Sequence, residues 1–128
     1  MAIKLDMIGI TVADMGEALR FYRLLEIEIP EPGPDDDHVE AILENGLRIA
    51  WDTLALMKQI NPDWEEPKGH RTGIAFLCDN PAHVDATYQR ILGAGFKSQT
   101  PPWDAFWGQR YAQVQDPDGN IIDLFAPL

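Results

Sequence analysis

One cysteine, Cys78, is all the chain has. That excludes an internal disulfide, a CxxC redox pair and the zinc-finger spacings. Basic residues are scarce too: 10 Lys and Arg against 21 Asp and Glu give a formal charge of −11 over 128 residues. Nucleic acid is therefore not an expected partner, because phosphates need Lys and Arg. No stretch approaches the roughly 20 consecutive apolar residues of a membrane span. Met1-Ala2-Ile3-Lys4 runs straight into strand-like sequence, so no secretory leader is expected. With the lone cysteine, these features point to the cytoplasm. There is no Ser–His–Asp pattern and no glycine-rich phosphate loop. The histidines are only His38, His70 and His83.

What remains is an ordinary globular composition, 45% apolar and 24% charged, arranged as a repeated pattern. Residues 5–12 alternate as a strand, with Ile8, Ile10 and Val12 on one face and Met7, Gly9 and Thr11 on the other. Asp14 opens a helix with Glu17 three residues on, a capping box. Met15, Ala18, Leu19 and Tyr22 fall at helical spacing. Residues 27–30 read as a short strand ended by Pro30 and Pro32. His38–Leu43 and Leu47–Asp52 form a hairpin about Asn45-Gly46, and 53–60 a short helix. In this hairpin Trp51 faces the helix side and reads as core.

The order then restarts. Thr72–Cys78 is a strand, and a helix follows with Asn80 as cap and Pro81 at its first position. A strand at 96–99, a loop through Pro101-Pro102-Trp103, and a hairpin complete the half. That hairpin runs from Trp107 to Phe125 about Asp116-Pro117-Asp118-Gly119. Matching Asp14 with Asp79 and the two glycine turns with each other gives an α+β chain of two βαβββ modules, 1–60 and 71–128, joined by a linker at 61–70. One helix covers each sheet, and the other faces are expected to curl as a mixed sheet around a shared cleft. Alternation assigns to that cleft His38, Glu40, Arg48, Ala50 and Asp52 from the first hairpin. It adds Thr72, Ile74 and Phe76, and then Trp107, Gln109, Tyr111, Asp123 and Phe125.

These residues resemble the vicinal-oxygen-chelate superfamily of glyoxalases, ring-cleaving dioxygenases and bleomycin-type antibiotic-binding proteins. The resemblance rests on Ile10-Thr-Val-Ala-Asp14 with Phe21-Tyr22, on Thr72-Gly-Ile-Ala-Phe76, and above all on Trp107-Gly-Gln-Arg-Tyr111 with Asp116-Pro-Asp-Gly-Asn-Ile-Ile-Asp-Leu124. His38-Val-Glu-Ala41 and Leu47-Arg-Ile-Ala-Trp-Asp52 are similar to the mitomycin-resistance branch, whose members bind a planar antibiotic. Enzymes of the superfamily hold a divalent metal with four side chains. The corresponding positions here are Met7, Ala50, Thr72 and Asp123. A thioether, a methyl and a hydroxyl are poor company for one carboxylate. The resemblance therefore implies a chain without metal or other cofactor and without catalytic residues. It would bind a small planar, cationic ligand through His38 and Trp107 as jaws, with Trp103, Tyr111, Asp123, Glu40 and Phe125 around them. Structural pairing of Glu40 and Asp123 with Arg48 or Arg110 is the plainer expectation for those carboxylates. An enzyme of glyoxalase or dioxygenase type, using a metal or a carboxylate base in the same cleft, is the alternative. Relatives of this kind form homodimers by exchanging modules or an arm, and the same is expected here.

Overall fold

Residues 2–128 are described by a computed structural model. Met1, where the leader expectation begins, lies outside them. The chain falls into two compact units, Met1–Pro67 and Lys68–Leu128. No helix among the described residues is long and apolar enough to cross a membrane.

Unit 1 contains β1 (Met7–Val12), α1 (Met15–Arg23), β2 (His38–Ile42), β3 (Arg48–Thr53) and α2 (Leu54–Ile60). The sheet order is β1-β3-β2, with β1 and β3 parallel and β2 and β3 antiparallel. Asp14 caps α1 by accepting the Glu17 N–H at 3.1 Å, as the capping pattern requires. The helix then buries Ala18, Leu19, Phe21 and Tyr22. Beneath it lie Ile10, Val12, Val39, Ala41, Ile49 and Trp51. Trp51 is fully buried, its ring centroid 5.4 Å from that of Tyr22. Burying side chains of this size contributes roughly 1.5–3 kcal/mol each, so the helix–sheet seam is the main source of stability in the unit.

The strand expected at 27–30 does not form. Its carbonyls are claimed locally: the Arg23 guanidinium donates to the Ile29 and Pro30 oxygens, both at 3.2 Å. Pro30 also has no N–H to give a ladder. Among the described residues, unit 1 thus has three strands rather than four.

Unit 2 contains β4 (Ile74–Leu77), α3 (Pro81–Gly93), β5 (Lys97–Ala105), β6 (Gln109–Gln115) and β7 (Ile121–Pro127), in the sheet order β4-β7-β6-β5. Asn80 caps α3 by accepting the His83 N–H at 2.9 Å. Helix residues Val84, Thr87, Tyr88 and Ile91 are buried, as are Ala112, Val114, Ile122, Leu124 and Ala126 of β6 and β7. Both units are therefore α+β, each with a mixed sheet under one principal helix.

Two boundaries in unit 2 differ from expectation. Pro101-Pro102-Trp103 is not a loop. It lies within β5, which carries register shifts between Ser98 and Thr100 and between Thr100 and Trp103. The strand tolerates two prolines because it is at the sheet edge, where a missing N–H breaks no ladder, and the bulges absorb the misfit. Trp107 is not on a strand either. β5 ends at Ala105 and β6 begins at Gln109, so Trp107 sits in the turn, where Gly108 takes φ 93°.

Candidate functional site

The closing hairpin builds one open face. Buried Asp116 holds its turn, accepting from the Asp118 and Asn120 backbone N–H groups at 3.0 and 2.8 Å. The resulting register sets Tyr111 opposite Phe125 and Gln113 opposite Asp123, while β5 sets Trp103 opposite Tyr111 and Thr100 opposite Gln113. Ala112, Val114, Ile122 and Leu124 go under α3. Gln109, Tyr111, Gln113, Asp123 and Phe125 stay half-exposed on the other side. An antiparallel ladder with one covered face requires this alternation.

One end of the face is aromatic. Trp107 is the hub: its ring centroid lies 5.5 Å from Trp103, 4.9 Å from Phe106 and 5.2 Å from Tyr111, each contact edge-on. Its indole N–H donates to Gln109 Oε1 at 2.8 Å. The ring is thus fixed by neighbours yet remains 47% exposed, with Trp103 at 38% and Phe106 at 90%. Phe106, which the sequence places with Trp103 at the rim of the pocket, packs against Trp107.

The other end is polar. Thr100 Oγ1 donates to Gln113 Oε1 at 2.8 Å. Gln113 Nε2 donates to Asp123 Oδ1 at 2.9 Å and to the Tyr111 oxygen at 3.0 Å. Burial, and then hydrogen bonding with Asp123, push the Tyr111 hydroxyl up to about 12, so it is a neutral phenol at all physiological pH. Asp123 has no ion-pair partner among the described residues. Arg110, expected as a candidate, instead pairs with Asp85 on α3 at 2.9 Å and with Asp104 at 3.1 Å.

In unit 1 the open face carries a chain of charges. His38 Nδ1 meets Asp52 at 2.5 Å and Nε2 meets Glu40 at 2.9 Å. Arg48 donates to Glu40 at 3.0 Å and to Asp6 at 2.6 Å. Register explains the grouping, since β3 places Asp52 opposite His38, and Ala50 opposite Glu40. Hydrogen bonds donated to Glu40 and then to Asp52 raise the His38 pKa, and the bond accepted from His38, then that from Arg48, lowers that of Glu40. Structural pairing of Glu40 with Arg48 is therefore present, with His38 as a third member. Both His38 ring nitrogens are occupied.

These pKa directions set a pH window. The protonated His38 ring donates to two carboxylates, so its stabilising contribution is complete below the unfolded value of ~6.5. It fades as pH rises through the higher folded value. A histidine-resolved NMR titration should place His38 above ~6.5 and bring it down in Asp52→Asn. The stability difference between the parent and His38→Gln should be present at pH 5.5 and absent at pH 9. A His38 midpoint at or below the ordinary value would contradict the network.

One of the four positions assigned to a metal shifts by a residue. Asp14 and Asn80, not Asp79, are the equivalent helix caps. Tyr22 and Tyr88 confirm the offset, each lying eight residues beyond its cap. The counterpart of Met7 is therefore Gly73, not Thr72. The β4–β7 register agrees: Ala75 pairs with Asp123 and Leu77 with Phe125, whereas Ile74 and Phe76 pair with Ile122 and Leu124 on the helix side. Ile74 and Phe76 therefore do not belong to the open face. The donor set becomes Met7, Ala50, Gly73 and Asp123, with one hard donor, already hydrogen-bonded to Gln113. No group of three or more His, Cys, Asp or Glu among the described residues is arranged to hold a metal ion. The residues at the family's metal positions do not fit a divalent metal.

Comparison with known proteins places this geometry in context. The sequence model of a family described as Glyoxalase/Bleomycin resistance protein/Dioxygenase superfamily matches residues 4–124. The uncharacterized protein Mb0911c of Mycobacterium bovis is 30% identical, over 93% of this chain and 80% of that protein. Among solved structures, a glyoxalase/bleomycin resistance protein/dioxygenase family enzyme from Burkholderia phytofirmans superposes with a TM-score of 0.85 at 17% identity, over 98% of this chain and 100% of that one. A lactoylglutathione lyase from Agrobacterium tumefaciens gives 0.70 at 16% identity, over 96% and 92%. At such identities the structural likeness speaks to fold.

Proposed function

The chain belongs to the glyoxalase/bleomycin resistance protein/dioxygenase superfamily, and from that premise we propose that it is a small-molecule binding protein which takes a planar ligand flat against the aromatic end of the unit 2 sheet. One observation carries the reading: Trp107 is clamped edge-on by three aromatic rings while about half of its own surface stays open. A ring pre-ordered by its neighbours loses little freedom on stacking with a ligand, and offset stacking contributes roughly 0.5–1.5 kcal/mol beyond area burial. Tyr111 and Phe125 continue the apolar surface, and Asp123 supplies a polar handle beside them. The functional analogy is with the antibiotic-binding members, the mitomycin-resistance type among them. The reading also includes a homodimer, from the family resemblance, and a cytoplasmic location.

An enzyme has less support. The metal positions offer Met7, Ala50 and Gly73 beside Asp123, and the one histidine on an open face has Asp52 on one nitrogen and Glu40 on the other. The test is saturable quenching of tryptophan fluorescence by planar quinones and acridines, with non-planar camphor as control. We expect 1:1 binding of planar members in the micromolar range, roughly −8 kcal/mol, and none of camphor. Equal response to planar and non-planar probes, or stoichiometric iron, nickel or zinc in protein purified without chelator, would overturn it.

A further inference from the structure

The polar end of the unit 2 face has a fixed hydrogen-bonding sense. An ionised carboxylate only accepts hydrogen bonds. Asp123 therefore obliges Gln113 to turn its NH2 toward β7, because the flipped amide would set oxygen against oxygen at the 2.9 Å contact. With the NH2 so turned, the amide oxygen faces Thr100, whose hydroxyl donates to it at 2.8 Å. The two amide hydrogens go to Asp123 and to the Tyr111 oxygen. The donors of Thr100 and Gln113 are thereby committed to neighbours. What these bonds leave over is acceptor capacity, chiefly the second oxygen of Asp123, a half-exposed residue with no ion-pair partner among the described residues.

We propose that Asp123, Gln113 and Thr100 form an acceptor-only corner, with Gln113 as its positioning residue, which selects planar ligands bearing an N–H or protonated-nitrogen edge. This rests on the reading that the Trp107 cluster is a stacking surface, and it adds the chemical class of ligand. A ring system whose edge carries only carbonyl or pyridine-type acceptors meets like polarity at Asp123. One carrying an aminopyridinium-type edge forms a charge-assisted hydrogen bond there, roughly twice as strong as a neutral one.

Two tricyclic probes of matched size test this. 9-Aminoacridine presents a protonated ring nitrogen and an amino group; phenazine presents acceptors only. We expect the parent to bind 9-aminoacridine about 10- to 100-fold more tightly. In Asp123→Asn the ratio should collapse toward one, partly because phenazine binds better once the corner has a donor. Gln113→Met should lower the ratio by a smaller factor with little change in melting temperature, and it reads the same quantity should Asp123→Asn fail to fold. Glu44→Gln changes the net charge equally and controls for the −11 background; its ratio should stay at the parent value. If both probes bind the parent equally and Asp123→Asn changes neither, the acceptor-only corner is wrong while the stacking surface stands. If neither probe binds, the stacking surface fails and this inference with it.

Discussion

Trp107→Ala is expected to weaken binding of every planar ligand by about 30- to 100-fold, or roughly 2–2.7 kcal/mol. The loss has two parts. The indole itself is the stacking plate, and removing it forfeits area burial as well as the ring-specific term. Trp103, Phe106 and Tyr111 also lose the ring they are packed against, so the surface that remains is less ordered before binding. Because Trp107 is 47% exposed and lies in a turn, folding should be little affected, within about 1 kcal/mol. Trp107→Phe keeps a ring but loses the indole bond to Gln109 and should lie between parent and alanine. Isothermal titration with the tightest planar probe, beside a melting curve for each variant, measures both quantities. Unchanged affinity in Trp107→Ala would remove the basis of the stacking model.

Trp51→Ala should behave in the opposite way. This tryptophan is fully buried between sheet and α1, against Tyr22. Truncating a buried aromatic to alanine costs about 3–5 kcal/mol, a large share of the roughly 5–15 kcal/mol that holds a domain folded. Trp51→Phe should be far milder. The Trp51 indole N–H is buried with no hydrogen-bond partner among the described residues, and an unsatisfied buried donor costs about 1–3 kcal/mol. Phenylalanine removes that donor while keeping most of the ring volume, so a net change within about 1.5 kcal/mol is expected. Urea unfolding followed by far-UV circular dichroism decides the matter. If phenylalanine proves as costly as alanine, the indole N–H has a partner, such as an ordered water, that matters to the core.

These two tryptophans show how much of the fold the chain announces. Alternation alone places Trp51 in the core, because its neighbours Ile49 and Asp52 and the Asn45-Gly46 turn define the face without outside help. The helix caps Asp14 and Asn80, Pro81 at the start of α3, and the Asp116–Asn120 turn were equally legible, since each acts within a few residues. For Trp107 the sequence indicates the cluster but not the element, since the residue lies in the β5–β6 turn and not on a strand. Whether a strand ends at Ala105 or runs on is set by where β5 and β6 stop pairing, which no local residue dictates. The continuation of β5 through Pro101 and Pro102 was missed for the same reason. Proline forbids a central strand but not an edge strand, and edge position is a property of the sheet.

The metal positions are the sharpest instance. Counting from Asp79 gave Thr72, and with it the wrong face for Ile74 and Phe76. A slip of one residue inverts every side chain in a strand. The signal that corrects it was available in the chain, in the common spacing from Asp14 to Tyr22 and from Asn80 to Tyr88. The proof came only from the parallel pairing of β4 with β7.

By itself, then, the amino-acid sequence determined the caps, the turns, the superfamily and the poverty of metal donors, because these depend on residue identity and short spacing. Tertiary structure decided which groups meet. It placed His38 between Asp52 and Glu40, gathered Trp103 and Phe106 around Trp107, and set Gln113 between Thr100 and Asp123. Strand register brings together residues far apart in the chain, and only the pairing of whole strands, driven by burial of their other faces, selects that register.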